Sequence, residues 1–420
     1  MPASFIEADY LLETPAELDR VAELMAGEQS SGTFVSVPGE TAELKARVAA
    51  RVTRLDVLDD TATNPSLPSA QIKVGPDTRF RRAHVTLSWP LDTLGPSLPN
   101  LLATIAGNLF ELKPVTGLRL LDVRLPIEFA NAYPGPRFGV AGTRRLAGVQ
   151  GRPLIGTIIK PSVGLGPAET AARVDDLCRA GIDFIKDDEL QSDGPHCPFE
   201  SRAEAVMSVI NNHAQRTGKK VMYAFNLTGD LDQMRRRHDT LLKHGATCVM
   251  ASLNSVGLVG MIELARFSQL PIHAHRNGWG YLSRHPLLGW SYIAWQKIWR
   301  LAGADHMHVN GVGNKFAESD ESSIASARAC LTPIFDEKPC IVMPVFSSAQ
   351  TARQAPATYE GLGSTDLIVT AGGGIMAHPL GIAAGVTAMQ EAWEAALVGV
   401  PLAEFARTRP SLRRALEAAT

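Results

Sequence analysis

The sequence predicts an α/β protein in which an eight-stranded (β/α)8 TIM barrel follows a smaller α+β domain of the ferredoxin-like type. From Pro153 onward the chain repeats, eight times, a short apolar strand, a loop bearing polar residues and an amphipathic helix. The strands are nearly continuous apolar runs, as expected for parallel strands that are buried on both faces. The helices carry apolar stripes at helical spacing, such as Val386, Met389 and Trp393, which are typical of packing against a barrel.

Residues 1–125 lack this repeat and mix the two hydrophobic periodicities, which predicts a compact α+β domain. The predicted strands are Phe5–Leu12, Thr33–Val37, Gln71–Val74, His84–Ser88 and Gly117–Val123, and the predicted helices are Thr14–Met25, Thr41–Val52 and Leu98–Leu109. A linker over residues 126–145 contains the turn formers PGPRFG. The barrel domain is predicted over residues 146–420.

The eight barrel strands are predicted at Leu154–Lys160, Asp183–Asp188, Lys220–Asn226, Thr247–Leu253, Pro271–His275, His306–Asn310, Cys340–Phe346 and Asp366–Ala371. A Trp-rich helix is predicted around Trp290–Arg300, after the fifth strand. Active sites of such barrels lie at the C-terminal ends of the strands. Here those ends carry lysines, carboxylates, histidines and glycines, which predicts an active site at this rim.

The 420 residues carry a formal net charge of −2, which implies neither a nucleic-acid partner nor an anionic membrane. The five cysteines form no CxxC pair, so a reducing compartment fits better than secretion. The N-terminal stretch is acidic and has no long apolar run, and no apolar stretch is long enough to span a bilayer. We therefore expect a cytoplasmic protein.

The sharpest motif is Lys186-Asp187-Asp188-Glu189, at the end of the second barrel strand. Alternation along a strand places Lys186 and Asp188 on one face, and Glu189 can turn back to the same site. Two carboxylates suit Mg²⁺, which prefers oxygen ligands. A lysine suits a dication only if it pairs with the carboxylates or becomes an anionic carbamate. The alternative is a solvated charge run in a loop.

The glycines Gly372, Gly373 and Gly374 follow the eighth strand, where barrels often bind phosphate. Backbone N–H groups can approach an anion closely where no side chain intervenes. The alternative is a turn that needs positive φ. Ser347 and Ser348, in the neighbouring loop, can add hydroxyl donors.

Two histidine pairs lie on the fifth and sixth strands, His273 with His275 and His306 with His308. They can bind zinc, transfer protons or contact a phosphate. The deeper His273 and His306 are predicted to be structural, whereas His275 and His308 lie at the rim. Arg276 follows His275 and suits a phosphate or a carboxylate.

Two rim lysines complete the candidate site. Lys160 ends the first strand, and Lys315 lies in the glycine-bounded loop GVGNKF, which is typical of a mobile loop that closes over a ligand. Either lysine is alternatively a solvated surface residue. Together these residues predict a phosphorylated sugar-like substrate whose proton is abstracted beside a carbonyl, with Mg²⁺ and ammonium groups stabilising the enediolate.

The same residues resemble the large chain of RuBisCO, ribulose-bisphosphate carboxylase/oxygenase. The stretch GTIIKPSVGLGPAETAARVDDLCRAGIDFIKDDE is similar to its most characteristic region, and GEQSSGTF, AGNLFELKPVTGLRLLDVRLP, HAHR, DHMHVNGVGNK, PVFSS and GGGIMAHPLG extend the resemblance over nearly the whole chain. The resemblance implies that CO2 carbamylates Lys186, and that Asp188 and Glu189 complete the Mg²⁺ ligands.

The resemblance also implies the other site residues. It gives Lys160 the enolisation proton, His275 a role in acid–base chemistry, and Lys315 a place on the loop over the site. One phosphate site would be formed by Arg276, His308 and Ser347, and the other by Thr33, Gly372 and Gly373. The residues donated to the partner subunit's site would be Glu28 and Asn108. The expected assembly is therefore a homodimer with shared active sites, or a higher homo-oligomer.

Three departures separate this chain from the RuBisCO pattern. Ser162 stands where KPK has its second lysine, Trp279 stands where HRxxH has a histidine, and Ala349 replaces a glycine of SGG. The tail after the eighth strand is also shorter. Losing an ammonium group and an imidazole argues against CO2 fixation, whereas the retained metal residues and Lys160 favour enediolate chemistry. These features predict a RuBisCO-like protein (form IV type) rather than a carboxylase.

The predicted function is a Mg²⁺-dependent carbon–carbon lyase that forms a metal-bound enediolate by decarboxylating or cleaving a phosphorylated 3-oxo sugar acid. Two anion sites would suit a phosphate at one end of the substrate and a carboxylate at the other. The first alternative is a methionine-salvage enolase or isomerase acting on a methylthio-ketopentose phosphate. A genuine ribulose-bisphosphate carboxylase, a zinc hydrolase and a non-catalytic barrel scaffold are further alternatives.

Overall fold

The computed structural model describes residues 4–32, 37–67, 70, 72 and 74–418. The chain divides into two compact units, the first comprising Met1–Tyr133 with Gly278–Leu301 and the second comprising Pro134–Asn277 with Ala302–Thr420. Most of the predicted strand Thr33–Val37, including Thr33 itself, lies outside the described residues, as do Gln71 and Lys73 of the predicted strand Gln71–Val74.

In the described part of the chain the strands are β1 Phe5–Thr14, β2 Arg51–Ala62, β3 Phe80–Pro90, β4 Gly117–Arg124, β5 Leu154–Ile158, β6 Phe184–Lys186, β7 Met222–Asn226, β8 Cys248–Ser252, β9 Ile272–His275, β10 Leu288–Trp290, β11 His306–Asn310, β12 Met343–Ser347 and β13 Ile368–Thr370. The helices are α1 Leu18–Glu28, α2 Ala42–Val48, α3 Leu91–Leu94, α4 Leu98–Ala106, α5 Glu128–Ala132, α6 Gly139–Ala147, α7 Pro167–Arg179, α8 Phe199–Thr217, α9 Leu231–Lys243, α10 Leu253–Phe267, α11 Trp279–Ser283, α12 Tyr292–Leu301, α13 Asp320–Leu331, α14 Ala355–Leu362, α15 Gly372–Met376, α16 Ile382–Val398, α17 Leu402–Phe405 and α18 Pro410–Glu417. Short 3₁₀ turns cover Asn108–Glu111, Ala352–Gln354 and Ala406–Thr408. None of these described helices is long and apolar enough to cross a membrane.

The first unit is built on a five-stranded sheet in the order β10-β4-β1-β3-β2. The pairs among β1, β2, β3 and β4 are antiparallel, which gives the predicted ferredoxin-like arrangement. Alternation in β1 buries Ile6, Ala8 and Tyr10 on one face. The helix predicted over Thr41–Val52 ends at Val48, and the chain then enters β2, which the sequence did not predict.

The second unit contains a closed barrel of eight parallel strands, in the order β11-β12-β13-β5-β6-β7-β8-β9. All eight predicted barrel strands are present, and β11 has the predicted bounds. Side chains from six of these strands form one buried cluster in the interior, with Phe184, Met222, Met250 and Met343 among the largest. The predicted fold class is therefore confirmed.

The segment Gly278–Leu301, which the sequence assigned to the barrel domain, belongs to the first unit. Its strand β10 pairs in parallel with β4, from Leu288 opposite Leu118 to Trp290 opposite Leu120. The predicted linker is partly helical, since α5 and most of α6 fall within residues 126–145.

An ion-pair cluster ties down the N-terminal end of β6. The buried carboxylate of Asp183 accepts hydrogen bonds from Arg152 at 2.6 and 3.1 Å, from Lys219 at 2.6 Å and from the Ile155 backbone N–H at 2.9 Å. Burial alone would raise the pKa of Asp183, but the Arg152 hydrogen bond and the two positive charges outweigh burial and lower it. Asp183 lies at the opposite end of the barrel from the predicted active-site rim. Contacts at that opposite end serve stability.

Candidate active site

At the end of β6, Asp187 has a structural role, whereas its neighbours Lys186 and Asp188 are candidate ligands. Asp187 accepts hydrogen bonds from the Tyr223 hydroxyl at 2.5 Å, the Asn226 backbone N–H at 2.9 Å and the Arg202 guanidinium at 3.3 Å. These partners hold Asp187 on the side of the strand opposite Lys186 and Asp188. The predicted alternation is therefore present, and Asp187 acts as an anchor.

Lys186 is 1% exposed, and its ammonium nitrogen donates to the backbone carbonyl of Asp187 at 2.9 Å. The same nitrogen lies 3.7 Å from a carboxylate oxygen of Glu189. Burial disfavours the charged form and lowers the pKa of Lys186, against the opposing effect of the nearby carboxylates. A lowered pKa increases the fraction of free amine, which is the form that reacts with CO2.

Lys160 lies beside these residues, on the loop after β5. Its ammonium nitrogen donates to Asp188 Oδ2 at 2.7 Å and to the Ser162 hydroxyl at 2.6 Å. Burial alone would raise the pKa of Asp188, but the hydrogen bonds from Lys160, the Leu190 backbone N–H and Ser162, together with the Lys160 charge, outweigh burial and lower it. Asp188 is thus an anion, and Ser162 holds the ammonium where the RuBisCO pattern has a second lysine.

Asn226, at the end of β7, supports the neighbouring backbone and was not predicted. Its side-chain amide donates to the carbonyl oxygens of Asp188 at 3.4 Å and Glu189 at 3.2 Å. Its Oδ1 accepts from the Thr228 hydroxyl at 2.7 Å. An asparagine at a strand end is a common turn former, so only its position at the rim could have singled it out.

The rim histidine His275 joins the same cluster, with its Nε2 3.5 Å from a Glu189 oxygen. Burial and the nearby Lys186 charge lower the pKa of His275 to about 4, so its imidazole is neutral at pH 7. Its ring lies 4.4 Å, centroid to centroid, from that of His308.

The deeper histidines, His273 and His306, are fully buried against Phe184, with ring centroids 5.6 and 6.0 Å from it. Burial lowers the pKa of His306 to about 3. His306 Nε2 lies 2.8 Å from the Thr143 hydroxyl. Both positions fit the structural role that the sequence predicted.

The residues of the first predicted phosphate site are already engaged within the protein. The Arg276 guanidinium donates to Glu318 at 3.1 Å, and the Ser347 hydroxyl donates to the Val309 carbonyl at 3.1 Å. Ala349, which replaces a glycine of the family pattern, has φ +58°, a conformation that glycine adopts with less strain.

The second predicted phosphate site lies at α15. An added Cβ at Gly372 would lie 3.8 Å from Lys160 Cε, so this glycine is close to the proton-transfer candidate. At Gly374 a Cβ would lie 2.7 Å from the Gln350 carbonyl oxygen, which makes glycine a packing requirement there. The third predicted residue of this site, Thr33, lies outside the described residues.

The remaining predicted residues are Lys315 in the second unit and Glu28 and Asn108 in the first. Lys315 is exposed in its loop, with its ammonium 5.3 Å from the centre of the Phe316 ring. In the first unit, Asn108 donates to Glu28 at 3.2 Å, so the two residues expected to serve a partner subunit are neighbours.

The donor set at β6 fits a Mg²⁺ ion on one condition. In the part of the chain that the structure describes, no three His, Cys, Asp or Glu side chains are grouped to hold a metal. The Asp188 and Glu189 carboxylates therefore need a further oxygen donor, and a carbamate on the adjacent Lys186 has the right chemistry. The arrangement fits a carbamate-dependent magnesium site better than a zinc site, because the buried histidine rings are not grouped around a common point with other ligands.

Comparisons with known proteins agree with this geometry. Residues 13–129 match the family described as "Ribulose bisphosphate carboxylase large chain, N-terminal domain", and residues 139–418 match "Ribulose bisphosphate carboxylase large chain, catalytic domain". The chain is 59% identical over 411 residues to a "3-oxo-isoapionate-4-phosphate transcarboxylase/hydrolase" of Xanthobacter autotrophicus, covering 98% of each protein. It is 47% identical over 409 residues to a "3-oxo-isoapionate-4-phosphate decarboxylase" of Rhizobium rhizogenes, covering 97% of this chain and 96% of that one.

The crystal structure of a rubisco-like protein from Burkholderia fungorum aligns with a TM-score of 0.92 at 49% identity, covering 99% of this chain and 100% of that chain. The predicted reaction class, decarboxylation or cleavage of a phosphorylated 3-oxo sugar acid, matches the names of the two enzymes. The prediction of a RuBisCO-like enzyme rather than a carboxylase is confirmed. The chain belongs to the ribulose-bisphosphate carboxylase large-chain family, among its RuBisCO-like enzymes.

Proposed function

We propose that this protein cleaves a carbon–carbon bond of a phosphorylated 3-oxo sugar acid, namely 3-oxo-isoapionate 4-phosphate or a close analogue. The observation that carries the proposal is the placement of the Lys160 ammonium, fixed between Ser162 and Asp188 next to the candidate ligands. The names of the two similar enzymes support this substrate class.

The chemistry needs one proton donor and a place for negative charge. When a carboxylate lies β to a ketone, breaking the carbon–carbon bond releases CO2 and leaves an electron pair that delocalises onto the keto oxygen. A proton from the Lys160 ammonium then restores the C–H bond and the ketone. Hydrolytic cleavage also breaks a bond next to the ketone, with water adding to the keto carbon and the same lysine protonating the released carbon.

We further propose that Lys186 reacts with CO2 and that its carbamate, Asp188 and Glu189 hold Mg²⁺. When bound, Mg²⁺ would supply a Lewis acid for the keto oxygen. The chain's own residues prepare this site: the anchored Asp187 orients the two residues beside it, and Asn226 fixes the backbone that follows.

The arrangement does not favour carboxylation. Ser162 is a short neutral hydroxyl where the carboxylase pattern has an ammonium, and its oxygen is occupied by Lys160. A reaction that only breaks the bond to a carboxyl group needs no side chain to orient a substrate CO2, in addition to the CO2 that forms the Lys186 carbamate. The same site therefore suits carbon loss.

The predicted assembly, a cytoplasmic homodimer with shared active sites, is part of the proposal. Its support is the pairing of Glu28 with Asn108, which gives the first unit a small polar group suited to a partner's substrate. A mass measurement over a range of protein concentrations tests this assembly. The doubly substituted Glu28→Gln, Asn108→Ala variant serves as the activity control.

The experiment that tests the function follows the carbon count by ³¹P and ¹H NMR with Mg²⁺ and bicarbonate present. The substrate panel contains 3-oxo sugar acid phosphates and a methylthio-ketopentose phosphate. CO2 release identifies a decarboxylase, and two smaller acids without CO2 identify a hydrolase. The 59% identity to the transcarboxylase/hydrolase favours the second outcome. Isomerisation or deuterium uptake with an unchanged carbon count would contradict the proposal and favour the methionine-salvage alternative.

A further inference from the structure

Glu318 is a largely buried carboxylate that contacts Arg276 of the first predicted phosphate site. It follows Lys315 in the loop between β11 and α13, and its side chain is only 14% exposed. One carboxylate oxygen accepts from the Arg276 guanidinium at 3.1 Å and from the Asn310 amide at 2.6 Å. The other accepts from the Ser322 hydroxyl at 2.9 Å. Three side chains, from Arg276, Asn310 and Ser322, thus hold this charge in place.

The contacts of Glu318 change what the Arg276 end of the site can bind. Arg276 is itself only 6% exposed, so water screens its pairing with Glu318 poorly. A phosphate dianion arriving at Arg276 would meet an adjacent carboxylate and would have to displace it. The Ser347 hydroxyl, the next predicted phosphate donor, already donates to a backbone carbonyl. Two of the predicted donors, Arg276 and Ser347, therefore already have an acceptor within the protein.

We propose that Glu318 closes the Arg276 site to a second phosphate and makes the enzyme selective for substrates with a single phosphate. The Arg276 end then receives a neutral hydroxyl-bearing end of the substrate. The single phosphate is left to the site at Gly372 and Gly373. This inference rests on the proposed function, because it assigns the two ends of that substrate, and it names Glu318 as a specificity-determining residue.

The test compares two inert probes, D-arabinitol 5-phosphate and D-arabinitol 1,5-bisphosphate, by isothermal titration calorimetry with Mg²⁺ and bicarbonate. For the wild-type protein, the second phosphate is expected to tighten binding by less than about threefold, because its charge is opposed at Arg276. In Glu318→Gln the ratio of the bisphosphate affinity to the monophosphate affinity should rise by about tenfold or more, which is the usual effect of a hydrogen bond to a charged group. Affinity for the monophosphate should stay the same.

Two further variants make the result specific. Ser322→Ala removes a contact to Glu318 but keeps its charge, so the ratio of the two affinities should remain at the wild-type value. Adding Arg276→Met to Glu318→Gln should abolish the gain. Circular dichroism checks that each variant is folded, and the wild-type ratio alone tests the idea if Glu318→Gln does not fold.

A wild-type protein that binds the bisphosphate far more tightly than the monophosphate would overturn this inference, as would an unchanged ratio in folded Glu318→Gln. These measurements involve no turnover. Failure of the proposed reaction would therefore appear as an absence of products with the 3-oxo acids, whatever the affinity ratio.

Discussion

Replacing Tyr223 with Phe tests the claim that Asp187 is a charged anchor behind the site. The Tyr223 hydroxyl donates to Asp187 at 2.5 Å, and the ring is fully buried. Burial and the neighbouring carboxylate raise the pKa of Tyr223 well above its usual value, so it remains a donor throughout the working pH range. Tyr223→Phe removes this hydrogen bond and leaves the shape of the core unchanged.

A hydrogen bond to a charged group contributes about 1.5–3 kcal/mol. Asp187 keeps two other donors, the Asn226 backbone N–H at 2.9 Å and Arg202 at 3.3 Å, so the carboxylate is not orphaned. We therefore expect Tyr223→Phe to lower the free energy of unfolding by about 2 kcal/mol. The matched control is Tyr10→Phe, which removes an equally buried hydrogen bond of 2.7 Å to the neutral carbonyl of Ile105.

The control should cost about 1 kcal/mol, because its acceptor is uncharged. Both free energies come from urea titrations followed by fluorescence and circular dichroism, with coincident transitions required before a two-state analysis. A loss in Tyr223→Phe no greater than that in Tyr10→Phe would refute the reasoning that Asp187 is an ionised, hydrogen-bonded anchor.

Three further predictions follow from the structure. Asp183→Asn should lower stability at neutral pH, because the lowered pKa of Asp183 in the folded state stabilises the protein above its unfolded pKa of about 3.9. That contribution is lost as the pH falls through the folded pKa, so wild-type and variant unfolding free energies should converge there. Gly374→Ala should cost about 1–3 kcal/mol in a thermal melt, because its Cβ would lie 2.7 Å from a backbone oxygen. Gly373→Ala should be nearly neutral, since among the described residues no heavy atom lies within 4 Å of its added Cβ. Ser162→Ala should lower kcat about tenfold with little change in KM, by loosening Lys160, and steady-state kinetics of Ser162→Thr should show recovery.

The barrel could be predicted because its strands are short, apolar and regularly spaced. This pattern can be recognised from short stretches of sequence alone. The strand β2 could not be predicted, because none of the residues in Arg51–Ala62 is fully buried. The alternation of apolar and polar residues that marks a half-buried strand is therefore weak there. The addition of β10 to the first sheet was also not predictable, since it depends on pairing with β4, about 170 residues earlier in the chain.

The ligand face of β6 was predictable, because strand alternation alone places Lys186 and Asp188 together. The roles of Asn226 and Glu318 were not. Glu318 contacts Arg276, 42 residues away, and nothing in the local sequence marks that pairing. Side chains that tune a site through distant partners emerge only from the fold.

The central claim is that Lys160 protonates the carbon released when the carbon–carbon bond is cleaved, by either decarboxylation or hydrolysis. The most direct measurement is NMR of a 3-oxo sugar acid phosphate, ¹³C-labelled in the carboxyl group and incubated in D2O with the wild-type protein and with Lys160→Met. We predict that the label leaves the phosphorylated product, that one deuterium appears at the cleaved carbon, and that Lys160→Met slows this by about 10²–10⁴-fold. Retention of the label in the phosphorylated product, or full activity of Lys160→Met, would contradict the account.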